Sequence, residues 1–203
     1  MTNYSIKNGI LLGDGVVQLI SPNKDDRPGG DFGDISLLVI HCISLPKGKY
    51  TVGSINDGYI AKLFTNKLLT EDISNINKTK SYDDDFDYTF LNGLKVSSHL
   101  CIYRDGTIVQ FVSFLERAWH AGESEYEGRP KCNDYSIGVE LEGDESFYTD
   151  SQYRALSNVT TLLIKEYPKI TKKRITAHST IAPRRKTDPG LGFDWERYKS
   201  EVF

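Results

Sequence analysis

The sequence is poor in cysteine, in net charge and in long apolar runs, and each shortage removes a class of protein. Its three cysteines, Cys42, Cys101 and Cys132, are odd in number and include no CxxC pair. Neither a disulfide framework nor a cysteine zinc cluster is indicated, and reduced thiols are expected. Twenty-five Lys and Arg against 28 Asp and Glu leave a formal charge of -3, so there is no general attraction to nucleic acid or to an anionic membrane. No segment approaches a membrane span. The opening "MTNYSIKNGILLGDGVV" lacks the basic and continuous apolar regions of a secretory signal, and a cytoplasmic address is expected. There is also no internal repeat and no Gly/Ser linker. A single domain over 1–203 is therefore expected, with its core at about 34–200 and residues 1–33 as a strand-and-loop extension packed against it.

What is present reads as strands interleaved with helices. "SLLVIHC" at 36–42 is a continuous apolar run too short for a typical helix and suits a central strand covered on both faces, ending near His41. "KVSSHLCIYRDGTIVQFVSF" contains two β-rich runs around Asp105-Gly106, which predicts a hairpin with a type I′ turn. In "SIGVELEG", Ile137, Val139 and Leu141 share one face while Gly138, Glu140 and Glu142 share the other. That places Glu140 on an uncrowded face. Residues 149–167 predict an amphipathic helix with a Thr149/Gln152 capping box and an apolar stripe of Tyr153, Leu156, Val159, Leu163 and Tyr167, stopped by Pro168. "KRITAHS" predicts a short strand with Thr176 and His178 on one side, and "DWERYKSEVF" a short closing helix. The polar segments "SPNKDDRPGGDFGD" and "TEDISNINKTKSYDDDFDY" (70–88) read as loops. The class is α/β or α+β.

Of only four histidines, His41 and His178 lie at the ends of predicted strands, where open sheets place their sites. Such a histidine alone is more often structural. Asp188 changes the balance: Pro189 after it biases its backbone toward an extended form. Two imidazoles and a carboxylate form a ligand set of the kind catalytic zinc uses, with the fourth tetrahedral position open. Hydrolysis also needs a base and a cation where negative charge develops. Glu140 and Lys186 are the candidates, set against plainer roles as a solvated strand carboxylate and a surface lysine.

Four long blocks, "LLVIHCISLPKG", "VSSHLCIYRDGTIVQFV", "RAWHAGESEYEGRPKCNDYSIGVELEG" and "HSTIAPRRKTDPGLGFDW", together resemble the N-acetylmuramoyl-L-alanine amidases of the AmpD type, in the amidase_2 and peptidoglycan-recognition superfamily. The resemblance covers most of the chain. It implies an α/β fold with a mixed central sheet flanked by helices and one Zn2+ held by His41, His178 and Asp188. It also implies Glu140 and Lys186 as catalytic residues. The implied substrate is a small cytoplasmic muropeptide carrying a 1,6-anhydro-N-acetylmuramyl group, cut at the amide between the lactyl group and L-alanine during peptidoglycan recycling. A monomer with no nucleic-acid or membrane partner is expected.

Departures from the family pattern mark the candidate substrate contacts. Cys42 stands where the subgroup often has an asparagine able to bind substrate and Lys95 where arginine is usual, so a bidentate carboxylate contact becomes a point charge; Ser98, where other branches have a catalytic tyrosine, is no contact and fits a mechanism run by Glu140. Lys131 and Asn133, in "RPKCN", and Arg185 complete the candidate contacts. His99 and His120 stay outside the ligand set, with structural roles at least as probable as a pocket role for His120. Trp119 is either core or a wall for the sugar. Two other readings stay open, an endolysin-like amidase acting on polymeric peptidoglycan and a non-catalytic peptidoglycan-binding module.

Overall fold

A computed structural model describes residues 4–29 and 34–203. The central sheet has six strands: β1 (Val16–Gln18), β2 (Leu37–Ile43), β3 (Leu100–Ile102), β4 (Ile108–Gln110), β5 (Ser136–Glu142) and β6 (Ile175–Ala177), in spatial order β6-β2-β5-β3-β4-β1. All neighbours are parallel except the β3–β4 hairpin, so the sheet is mixed. The N-terminal segment supplies the edge strand β1, which pairs with β4. Part of "SPNKDDRPGGDFGD" also forms a strand, Lys24–Asp26, antiparallel to Glu116–Ala118; residues 30–33 of that stretch lie outside the described residues.

Ser136–Glu142 is buried throughout and Leu37–Ile43 up to His41, for the reason their sequences give. Leu38, Ile40, Ile137, Val139 and Leu141 face one core, filled from α1 (Asp150–Glu166) by Leu156, Val159 and Leu163. Leu37 and Val39 face the opposite side, against Ala121, Cys132, Tyr135 and Ile181. α1 begins with the expected reciprocal cap: the Thr149 hydroxyl accepts from the Gln152 N–H at 3.1 Å, and the Gln152 side chain accepts from the Thr149 N–H at 3.1 Å. The closing helix, Trp195–Val202, packs on α1.

Two further segments depart from expectation. "TEDISNINKTKSYDDDFDY" is not all loop: Thr70–Thr79 is helical, because Asp72 reaches back to the Leu69 N–H at 2.9 Å while Ile73 and Ile76 enter a second core with Phe64 and Tyr88. The hairpin turn sits where Asp105-Gly106 puts it but is not type I′. Its loop is Arg104–Gly106, with Gly106 alone at positive φ (92°), closed by the Gly106 and Tyr103 N–H groups donating to the Tyr103 and Thr107 carbonyls. A type I′ turn requires positive φ at both central residues, and a three-residue loop needs it only at the glycine.

Candidate active site

Register assembles the site. Glu140 on β5 pairs with His41 on β2, and side chains at paired positions of neighbouring strands share a sheet face. On the other flank Ala177 pairs with Ile40. His178, one residue further and first in the short helix His178–Ile181, therefore arrives beside His41. Asp188 is brought back by the loop after that helix, its carbonyl accepting from the Ser179 N–H at 3.0 Å.

Three donor atoms converge. His41 Nδ1 lies 2.9 Å from His178 Nδ1 and 3.3 Å from Asp188 Oδ2, and His178 Nδ1 lies 3.1 Å from the same oxygen. Donors held at about 2.0–2.1 Å around a tetrahedral ion stand roughly 3.3 Å apart, so this buried group fits a metal ion. The chemistry of the set fits as well. His178 Nε2–H donates to the Ala121 carbonyl at 3.3 Å, which leaves the His178 Nδ1 lone pair facing the other two donors.

The four central groups are nearly sealed, with exposures of 1% for His41, 3% for His178, 6% for Asp188 and 9% for Glu140. Burial pushes His41 down from 6.5 to about 4, against the hydrogen bond to Asp188. Burial also opposes charge on Asp188, but the imidazoles of His178 and His41 beside it outweigh it and hold the carboxyl well below the usual range. Glu140 moves the other way: burial and then the Asp188 charge raise it well above an ordinary glutamate, with Lys186 pulling back. Its Oε2 is buried without a hydrogen-bond partner. Lys186 is exposed and stands where clefts of about 710 and 300 Å³ share Glu145, Lys186 and Thr187 as lining.

A model of the N-acetylmuramoyl-L-alanine amidase family, Amidase_2, matches residues 31–191. The chain belongs to that family. It is 46% identical over 186 residues to the 1,6-anhydro-N-acetylmuramyl-L-alanine amidase AmpD of Haemophilus influenzae, covering 91% of each chain. The crystal structure of a selenomethionine AmpD derivative superposes with a TM-score of 0.80 at 42% identity, over 98% of this chain and 99% of that one. The complex of the amidase AmiD from E. coli with anhydro-N-acetylmuramic acid-L-Ala-D-γ-Glu-L-Lys superposes at 0.54 and 25% identity, over 98% of this chain and 65% of that one. As a member of the amidase family the chain is a hydrolase of an amide C–N bond, with the mixed sheet and flanking helices of the AmpD fold.

The other candidate residues take varied positions. Cys42 points away from His41 into the main core, where burial pushes its thiol up to about 12, yet it also lines the smaller cleft. Lys95 and Lys131 are exposed. Asn133 is engaged internally: its Oδ1 accepts from the His120 and Ala121 N–H groups at 3.1 and 2.8 Å. Arg185 donates to the Ala121 and Glu123 carbonyls at 2.6 and 2.9 Å. Trp119 is half-buried and its indole donates to Asp25 at 3.1 Å. Ser98 is fully buried, donating to the Gly138 carbonyl at 2.8 Å. His99 is a scaffold residue whose Nδ1 accepts from the Gly138 N–H at 3.0 Å. The three cysteines are free, as expected. Among the described residues, no helix is long and apolar enough to cross a membrane.

Proposed function

We propose that the chain is a zinc amidase that hydrolyses the lactyl–L-alanine amide of 1,6-anhydro-muropeptides in peptidoglycan recycling, acting in the cytoplasm as a monomer. The observation that carries this reading is the buried His41, His178 and Asp188 triangle with Glu140 as the register partner of His41, in a chain with AmpD relatives over nine-tenths of its length. His41, His178 and Asp188 would hold a zinc ion, which would supply Lewis acidity for water and for the amide carbonyl. Glu140 is the proton carrier. A carboxyl raised by burial exchanges a proton nearer neutral pH than an exposed one, so it takes the proton of the attacking water and returns it to the departing alanine nitrogen. Lys186, which lines the cleft, offers its ammonium to the negative charge on the carbonyl oxygen. Every group in this constellation comes from one chain.

Purified protein incubated with anhydro-muropeptide and, separately, with intact sacculi tests the substrate class. Mass spectrometry should find free peptide from the muropeptide. Release from sacculi alone would move the enzyme to the endolysin type, and release from neither would end the amidase reading.

A further inference from the structure

We propose that His120 is a positioning residue for His41, fixing which of its ring nitrogens is free to bind the metal, and that Gly138 is the seat that lets it do so. This rests on the metal reading above. His41 Nε2 lies 2.9 Å from His120 Nδ1, with the rings edge-on at 4.9 Å and 86°. His120 Nε2 lies 3.2 Å from Ser136 Oγ, and Ser136 Oγ lies 2.5 Å from the Cys132 carbonyl oxygen.

The chain has one direction, because a carbonyl can only accept. Ser136 therefore gives its proton to Cys132 and accepts from His120 Nε2–H. With its proton on Nε2, a neutral His120 has a bare Nδ1, which accepts from His41 Nε2–H. His41 is then left with its lone pair on Nδ1, the atom that faces His178 and Asp188. A metal-binding imidazole whose other N–H is tied to a fixed acceptor holds its tautomer and its orientation.

Two further features show that the position is built. A Cβ on Gly138 would lie 2.5–2.7 Å from three atoms of the His120 ring, so only glycine at this point of β5 lets the ring settle against the strand. The backbone at His120 and Ala121 is pinned by Asn133, and Ala121 supplies the carbonyl that fixes His178. One short segment thus sets the tautomers of both histidine ligands.

Zinc affinity, measured on metal-stripped protein by competition with a chromophoric chelator, tests the inference. Thermal melting of the same stripped proteins establishes that each variant folds. His120→Leu should bind zinc 10- to 100-fold more weakly than wild type. His120→Asn, which keeps an acceptor near the position of Nδ1, should recover most of the loss. Ser136→Ala, which removes the direction-setting acceptor with little change of volume, should weaken binding in the same sense and covers the case in which His120→Leu does not fold. Wild-type affinity in a folded His120→Leu, equal loss in the Leu and Asn variants, or unchanged binding in Ser136→Ala would overturn it. A wild-type protein that takes no zinc would instead overturn the metal reading on which it rests.

Discussion

Glu140 and His41 are register partners on adjacent parallel strands, so the carboxyl proposed to carry the proton and a proposed metal ligand are set side by side by backbone pairing rather than by a loop. This fixes Glu140 in a sealed position, and burial raises its pKa. The raised value has a consequence for stability. A carboxyl raised in the fold contributes fully below its unfolded value of about 4.5, and that contribution is lost as pH climbs through the folded value. Metal-free Glu140→Gln should therefore melt above metal-free wild type at pH 8, with the difference closing toward pH 4. Melting curves across that range check it, and a gap independent of pH would contradict it. The same variant should keep its zinc and lose nearly all turnover.

Lys186 is exposed, so replacing it costs the fold little. Lys186→Ala should bind zinc as wild type does and lower kcat/KM by about 10²- to 10³-fold, equivalent to roughly 3–4 kcal/mol of transition-state stabilisation. Parallel zinc titration and steady-state kinetics separate the two effects.

Acid should destabilise the protein through His41. Its pKa is depressed from 6.5 to about 4, so its share of stability is present above 6.5 and drains away as pH falls through 4, at about 1.4 kcal/mol per pH unit. Chemical denaturation of metal-free protein between pH 7 and pH 4 should show this loss, with a shallower slope in His41→Asn. Zinc-loaded protein should fall more steeply, because its ligands must stay deprotonated.

The α1 cap is a stability feature remote from the chemistry. Thr149→Ala removes the acceptor for the Gln152 N–H and a donor to the Arg104 carbonyl. It should cost about 1 kcal/mol in denaturant unfolding, with kcat/KM unchanged.

The parts of the fold and site that were readable from sequence are those governed by local pattern. The apolar run 36–42, the alternation of Ile137, Val139 and Leu141 and the Thr149/Gln152 cap each determine their own structure with little outside help. The helix at Thr70–Thr79 was hidden because only Ile73 and Ile76 mark its buried face amid polar residues, and its cap comes from Asp72 inside the helix. The donor triangle was legible only as residue types, since the 137-residue separation of His41 and His178 is bridged by strand pairing. Nothing local announces that Asn133 Oδ1 and one guanidinium nitrogen of Arg185 meet backbone groups at 120–123. His120 had a faint signal in Gly138, two residues before Glu140 on the same strand face. That glycine became informative only once the fold laid the His120 ring on it.

The most direct measurement is peptide release from an anhydro-muropeptide by one enzyme sample before chelation, after chelation and after stoichiometric zinc is restored. Release should stop with the metal removed and return when zinc is added back, while a Glu140→Gln sample carrying the same zinc stays inactive. Release that continues undiminished in the stripped protein, or in the zinc-loaded Glu140→Gln variant, would contradict a metal site at His41, His178 and Asp188 working with Glu140.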